Sequence, residues 1–125
     1  MNVSSRNLII DDDTRLLEAL TIFLDKGGYA VTTATNGREG LRCFYDARPD
    51  LVVLDIMMPA MDGWEVCTRV REVSDVPVIF LTAKTEAEDE TRGFGVGAVD
   101  YIHKPFSPPV VMARVQTHLM LREAR

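Results

Sequence analysis

Five polar side chains of this chain follow short apolar runs, and each is of a kind that handles a phosphoryl group. They are Asp11 and Asp12 after the run 8–10, Asp55 after 51–54, Thr82 after 78–81, and Lys104 after 101–103. If these runs are neighbouring parallel strands that point the same way, the five groups meet at one edge of the sheet, where open α/β sheets bind ligands. The spacing therefore predicts a phosphoryl site.

The acidic members of this set indicate a metal ion. Asp11, Asp12 and Asp55 would repel one another in a small space unless a cation or a proton intervened. Mg²⁺ is the natural counter-ion, because it prefers oxygen ligands and is usually held by one or two carboxylates together with phosphate oxygens. Taken alone, the acidic cluster 11–13 is equally well interpreted as a polar strand end followed by a helix cap.

The other groups divide the chemistry among them. The run before Asp55 is apolar on both faces, which is typical of a strand covered by helices on both sides. A carboxylate presented from such a strand can attack phosphorus once a metal neutralises the incoming charge. Lys104 would offer a positive charge and Thr82 a hydroxyl to the phosphoryl oxygens. Asp55 is therefore the predicted acceptor.

Apolar runs alternate with amphipathic stretches, which predicts five repeated βα units around a parallel sheet. At 125 residues, with 46% hydrophobic and 26% charged residues, the chain fits one domain with one packed core over residues 1–125. The predicted strands are 8–11, 29–34, 51–55, 78–82 and 101–103. The predicted helices are 14–26, 37–47, 63–72, 86–94 and 108–121, with Asp13, Asn36, Asp62 and Ser107 as N-caps.

Charge and hydropathy exclude several functions. The net charge of -5 argues against direct contact with nucleic acid, because binding a polyanion needs clustered Lys and Arg. No apolar stretch approaches the roughly 20 residues that cross a bilayer, and the N-terminus lacks a signal-peptide core, so we expect a cytoplasmic protein with no membrane role. Cys43 and Cys67 have no metal or disulfide spacing and are expected to be reduced thiols.

Four segments carry a family resemblance. Ile-Ile-Asp-Asp-Asp, Leu-Asp-Ile-Met-Met-Pro-Ala-Met-Asp-Gly, Leu-Thr-Ala and His-Lys-Pro-Phe, in this order and spacing, resemble the receiver domain of bacterial two-component response regulators. The resemblance covers essentially the whole chain. It implies a flavodoxin-like three-layer α/β sandwich, with a five-stranded parallel sheet in the order 2-1-3-4-5 and five helices. It also implies that a partner histidine kinase phosphorylates Asp55.

The same resemblance implies a ligand set for Mg²⁺. Asp12 and Asp55 would bind the ion directly, together with the backbone carbonyl of Met57. Asp11 would act through a metal-bound water.

It further implies how the phosphoryl group is held and sensed. Thr82 and Lys104 would hold the group, and the peptide bond between Lys104 and Pro105 would be cis, as X-Pro bonds permit. Thr82 would then move toward the phosphate while Tyr101 turns inward, which shifts the fourth helix and the fifth strand. Independently, the predicted helix 86–94 offers few apolar side chains for burial and is expected to be loosely held.

Within the family, the chain is most similar to receivers attached to winged-helix DNA-binding domains. The active dimers of that group pair charged residues across the fourth helix, fifth strand and fifth helix. Here Val99 and Val110 stand where acids are usual and Glu90 where a base is usual, so those ion pairs cannot form in the same way. We expect a more apolar contact instead, with another receiver, with an attached output domain or within the fold.

The leading functional prediction is a signalling switch, with no enzymatic activity beyond self-catalysed phosphotransfer and autodephosphorylation. The chain ends just past its last helix, which is typical of the N-terminal module of a longer regulator. One alternative is a phosphohydrolase with an aspartyl-phosphate intermediate, but Met57 stands where a second Asp would be needed. The other is a receiver-like interaction module that is not phosphorylated, which the complete set of site residues opposes.

Five further side chains are interpreted from their positions. Met57 and Lys84 stand where the family controls access of water to the acyl phosphate, and because Met57 cannot orient a water we expect slow autodephosphorylation. Trp64 is expected in the core. His118 has no predicted partner and is expected to be exposed or to flank the core, whereas His103 is left open between the rim of the site and solvent.

Overall fold

The computed structural model describes residues 5–83 and 95–123, and its strands form one parallel sheet. The strands are β1 (Arg6–Ile10), β2 (Ala30–Ala34), β3 (Leu51–Asp55), β4 (Val78–Thr82) and β5 (Asp100–His103). They are ordered β2-β1-β3-β4-β5, which confirms the predicted order. Within the described residues, the helices are α1 (Thr14–Lys26), α2 (Gly37–Ala47), α3 (Gly63–Arg71) and the C-terminal helix (Pro108–Glu123). The predicted helix 86–94 lies outside those residues.

Each face of the sheet is covered by its own apolar cluster. Leu8, Leu54 and Phe80 pack with side chains of α2 and α3, including Trp64, which is buried in the core as predicted. The opposite cluster joins alternate strand residues to α1 and the C-terminal helix. All residues of β3 and β4 are buried, as expected for central parallel strands with helices on both sides.

The N-caps fix the loops that follow the strands. The predicted caps Asp13, Asn36 and Asp62 each accept hydrogen bonds from backbone N–H groups in the first turn of α1, α2 and α3. Such bonds satisfy donors that have no partner within the helix. The loops after β1 and β3, which carry the acidic residues of the predicted site, are therefore held where α1 and α3 begin.

Element boundaries differ from the predictions by one or two residues. β1 begins at Arg6 rather than at residue 8, because exposed Arg6 and polar Asn7 conceal the strand from an apolar pattern while their backbones pair with β2. The C-terminal helix continues to Glu123 rather than residue 121. Single-residue differences occur at the ends of β1, β2, α3 and β5, which is the usual uncertainty of such boundaries.

Gly63 brings α3 against the strand that carries Asp55. Its N–H donates a 2.9 Å hydrogen bond to the carbonyl of Ile56. A Cβ at this position would lie 2.8 Å from the Ile56 Cα and closer still to the carbonyl oxygen of Asp55. Glycine is therefore required where the start of α3 supports the predicted acceptor.

No helix in the described ranges is both long enough and apolar enough to span a membrane.

Candidate functional site

The predicted site residues converge at the carboxyl end of the sheet. Asp11 directly follows β1 and Asp55 ends β3, and these two strands are neighbours with Ile10 paired to Leu54. Asp11, Asp12 and Asp55 each present a carboxylate oxygen, and these oxygens all lie within 4.8 Å of one another. The predicted clustering of the three acids is confirmed.

The three acids differ in their exposure to solvent. Asp11 is fully buried and Asp55 is only 3% exposed, whereas Asp12 is exposed. The N–H of Asp13 donates a 2.9 Å hydrogen bond to Oδ1 of Asp11, which helps to fix that side chain. The cluster therefore has two interior carboxylates and one at the surface, so an incoming ligand would approach from the Asp12 side.

Lys104 directly follows the edge strand β5, and its side chain extends to the acids. Its Nζ lies 3.0 Å from Oδ2 of Asp11 and 3.6 Å from Oδ1 of Asp55. Its backbone N–H donates to the carbonyl of Thr82 at 2.7 Å, so the end of β5 is tied to the end of β4. The peptide bond between Lys104 and Pro105 is cis, as predicted. One cation is thus shared by the two buried carboxylates.

Burial and repulsion raise the pKa of Asp55 to about 7. Burial is the largest cause, followed by the negative charge of Asp11, while Lys104 and a hydrogen bond from the Met57 backbone act in the opposite direction. Burial would lower the pKa of Lys104, but its hydrogen bond to Asp11 and the charge of Asp55 outweigh burial and raise it. Among the described residues, the site therefore holds more negative charge than Lys104 balances.

This donor set fits a small hard divalent cation. Carboxylate oxygens are the ligands that Mg²⁺ prefers, and three of them lie close enough together to share one ion or its bound waters. A divalent cation would also relieve the repulsion that raises the pKa of Asp55.

Thr82, Tyr101 and Met57 are the other predicted site residues, and they differ in burial. Thr82 is fully buried at the end of β4, next to His103 in the β4–β5 register. Tyr101 is 7% exposed and its ring packs against Phe80, with centroids 6.1 Å apart. The side chain of Met57 is 55% exposed, on the loop after β3. Tyr101 thus already points into the fold.

The sequence interpretation of His118 was wrong on one point, because the residue has a partner. Its Nε2 lies 3.0 Å from Oδ2 of Asp100, and Arg114 donates a 2.6 Å hydrogen bond to Oδ1 of the same carboxylate. Burial would raise the pKa of Asp100, but hydrogen bonds from Arg114, the Tyr101 N–H and His118 lower it. Acids and bases spaced 14 and 18 residues apart gave no sequence signal for this cluster.

Other predictions concern residues outside the acidic cluster. His103 lies against Tyr101, with ring centroids 5.2 Å apart. Val99 and Val110 are 38% and 40% exposed, which leaves both available for contact with a partner. Glu90 and Lys84 lie outside the described residues. Both cysteines are free thiols, as predicted, with Cys67 buried and Cys43 partly buried.

Comparison with known families agrees with this geometry. The family model described as the response regulator receiver domain matches residues 8–116. The transcriptional regulatory protein ResD of Bacillus subtilis (strain 168) is 44% identical over 117 residues, which cover 94% of this chain and 48% of that protein. The DNA-binding response regulator MtrA of Mycobacterium leprae (strain TN) is 45% identical over 114 residues, covering 91% and 51%. The chain spans about half the length of these curated relatives.

Solved structures show the same fold. A response regulator receiver domain protein (CheY-like) from Methanospirillum hungatei JF-1 superposes with a TM-score of 0.92 at 28% identity, covering 98% of each chain. The BeF3-activated N-terminal receiver domain of RstA from Klebsiella pneumoniae superposes with a TM-score of 0.86 at 30% identity, covering 92% of this chain and 98% of that one.

Proposed function

This chain belongs to the family of response regulator receiver domains, and from that premise we propose that it is a switch phosphorylated on Asp55 by a histidine kinase. The observation that carries the proposal is the pairing of a carboxylate cluster within 4.8 Å with Lys104, whose Nζ lies 3.6 Å from Asp55. The phosphorylated state would control a partner or output domain.

Asp11, Asp12 and Asp55 would hold Mg²⁺ together with the backbone carbonyl of Met57, with Asp11 acting through a bound water. The ion would neutralise negative charge as the phosphoryl group approaches the carboxylates. The fit rests on the oxygen donors gathered at this edge of the sheet and on the excess of negative charge around Asp55.

The transfer would use the side chains gathered at this edge together with the phosphohistidine of the kinase. A carboxylate oxygen of Asp55 attacks phosphorus, the bond from phosphorus to the imidazole nitrogen of the kinase histidine breaks, and the electron pair stays on that nitrogen. Lys104 would pair with the phosphoryl oxygens, because its Nζ already lies between the two buried acids. Thr82, tied to Lys104 through its backbone carbonyl, would donate its hydroxyl to the same group.

The signal would leave the site along β4 and β5. Thr82 ends β4 beside His103, and Tyr101 lies two residues earlier on β5. Movement of Thr82 toward a phosphoryl group would favour the inward position of Tyr101 and change the surface formed by β5 and the predicted helix 86–94. Val99 and Val110 would join that surface in an apolar contact with an output domain or a second copy of the chain.

Phosphorylation by small donors tests the proposal. We expect the protein incubated with Mg²⁺ and acetyl phosphate or phosphoramidate to gain the mass of one phosphoryl group, measured on the intact protein. Asp55→Asn is the matched control and is expected to gain none, because the amide oxygen is a poor nucleophile. Continuous release of free phosphate would support a phosphohydrolase instead, and an unchanged mass would support a module that is not phosphorylated.

The phosphorylated protein is expected to lose its phosphoryl group slowly, over minutes or longer. Met57 lies two residues beyond Asp55 and has no polar group to orient an attacking water. The decay is measured by intact mass after the donor has been removed. Met57→Asn would place an amide at this exposed position and is expected to shorten the half-life severalfold, whereas a wild-type half-life of a few seconds would contradict this explanation.

A further inference from the structure

A cavity lies at the end of the sheet opposite the acidic site. It has a volume of about 580 Å³ and is bounded by the end of α2, the loop before β3, the loop after α3 and the C-terminal helix. Residues 48–50 precede β3 and residues 73–76 precede β4, so the cavity lies at the amino ends of these strands. The phosphoryl chemistry proposed above does not use it.

The cavity is open to solvent, and one part of its wall is apolar. Phe44 and Val76 are almost fully buried and form its inner surface. Tyr45 and Val73 stand at the rim and are 51% and 63% exposed. The rings of Phe44 and Tyr45 meet edge to face, with centroids 5.7 Å apart. A planar apolar group entering here would contact aromatic and aliphatic surface on several sides.

Guanidinium groups lie at the same cavity. Arg122 donates a 2.8 Å hydrogen bond to the carbonyl of Asp50 and lies 3.7 Å from the exposed carboxylate of Asp75, which leaves other donors of its fork available. No acidic side chain in the described ranges pairs with Arg48. The carboxylate of Asp50 also lines the cavity, but it accepts the Arg6 N–H at 2.8 Å.

Arg48 also occupies a strained backbone position. It caps α2 with φ 47° and ψ 65°, the left-handed region where glycine or asparagine is usual. A side chain with a Cβ is strained there. The chain thus places an arginine, rather than the residue the turn favours, beside an aromatic cavity.

We propose that this cavity binds a small organic anion that joins a carboxylate to an aromatic body. The carboxylate would pair with Arg48 and Arg122, and the aromatic body would lie against Phe44, Tyr45 and Val73. A volume of about 580 Å³ accommodates a ligand of this class, since small-molecule pockets are generally 300–1,000 Å³. The proposal is independent of phosphorylation at the other end of the sheet.

Sodium benzoate is a suitable probe, and backbone amide NMR reports where it binds. We expect saturable shifts confined to residues 44–50, 73–76 and the end of the C-terminal helix, with a Kd of about 1 mM or tighter. Benzamide keeps the ring and lacks the charge, so we expect its affinity to be lower by about fivefold or more.

Three variants separate recognition of the carboxylate from general effects of substitution. Arg48→Met is expected to weaken the binding of benzoate by about fivefold. Arg42→Met removes an exposed arginine of α2 that does not line the cavity, and it should leave the affinity for benzoate within about twofold of the wild-type value. Val73→Asp introduces a carboxylate at an exposed position of the rim, and its repulsion of the benzoate carboxylate should also weaken binding.

Equal binding of benzamide and benzoate would overturn the proposal, as would an unchanged affinity in Arg48→Met. Shifts centred on Lys104, or no saturation below about 20 mM benzoate, would do the same.

Discussion

Asp55→Asn is expected to stabilise the metal-free protein at pH 8, although it removes the predicted phosphate acceptor. The ionised carboxylate of Asp55 is 3% exposed and lies beside Asp11, and both features oppose its charge. A pKa raised from 3.8 to about 7 corresponds to roughly 4 kcal/mol between the two protonation states. Asparagine also loses the attraction of Lys104 and buries an amide that needs hydrogen-bond partners, and both effects reduce the gain. We therefore expect the free energy of unfolding to rise by about 2 kcal/mol.

The pH dependence of this gain follows from the direction of the pKa change. Between pH 3.8 and about 7 the folded protein binds more protons at Asp55 than the unfolded chain does. The free energy of unfolding of the wild type therefore falls as pH rises through this window, while asparagine does not titrate. The advantage of Asp55→Asn should be small below pH 4, grow through the window and become constant above about pH 7.

Urea unfolding in EDTA at several pH values measures this difference. Asp12→Asn is the matched control, because its carboxylate belongs to the same cluster but is exposed, and its gain should be smaller. Adding Mg²⁺ should narrow the gap, since the ion stabilises the wild type more than the variant if it binds to these acids. A variant that is no more stable than the wild type at pH 8 would contradict the charge argument.

Periodicity located the strands because buried parallel strands leave a strong local signal. β3 and β4 were predicted with the bounds observed, and both consist of buried apolar residues that end in a polar site residue. β1 was predicted to begin two residues late, since the polar side chains of exposed Arg6 and buried Asn7 interrupt the apolar pattern. Among the described residues, neither atom of the Asn7 side-chain amide has a hydrogen-bond partner. An apolar pattern fails to locate the end of a strand when that end carries a buried polar residue.

The convergence of the site was predictable from topology, but its electrostatic balance was not. Parallel strands in the predicted order necessarily bring Asp11 and Asp55 to one edge. The sharing of Lys104 by two buried carboxylates depends on side-chain distances of 3.0 and 3.6 Å, and the rise in the pKa of Asp55 depends on its burial and on the nearby charge of Asp11. Sequence spacing carries no information on such distances.

Long-range side-chain contacts were missed for the same reason. His118 pairs with Asp100 on β5, and Arg71 at the end of α3 donates 2.7 and 3.0 Å hydrogen bonds to the carbonyl of Gly97. The second acceptor is a backbone atom, which no residue type in the sequence indicates. These contacts join the C-terminal helix to β5 and α3 to the turn before β5, so they position the surface that the proposed switch would change.

Lys104→Met is expected to have the opposite effect to Asp55→Asn. It should lower the free energy of unfolding of the metal-free protein at pH 8 by about 2 kcal/mol. The lysine balances Asp11, which is fully buried, and Asp55, which is nearly so. Removing one partner of a buried ion pair leaves the other charge buried without compensation. This destabilises a protein more than replacing both partners by apolar residues does.

The loss should be largest between pH 7 and 10. The pKa of Lys104 is raised above 10.5 in the folded protein, so its contribution is fully present below that value and is lost as pH rises through the higher folded pKa. At acid pH the loss should shrink, because Asp55 is protonated below about pH 7 and no longer needs a cation.

Lys26→Met is the matched control, since it removes the same charge from an exposed position at the end of α1 and should cost less than about 0.5 kcal/mol. In the double variant with Asp55→Asn, the loss caused by Lys104→Met should be smaller than in the wild-type background, because one of its two acidic partners is gone. Equal losses in the two backgrounds would mean that Lys104 does not act on Asp55.

Calorimetric titration should also show tighter Mg²⁺ binding to Lys104→Met, because the ammonium no longer competes with the ion for the same carboxylates.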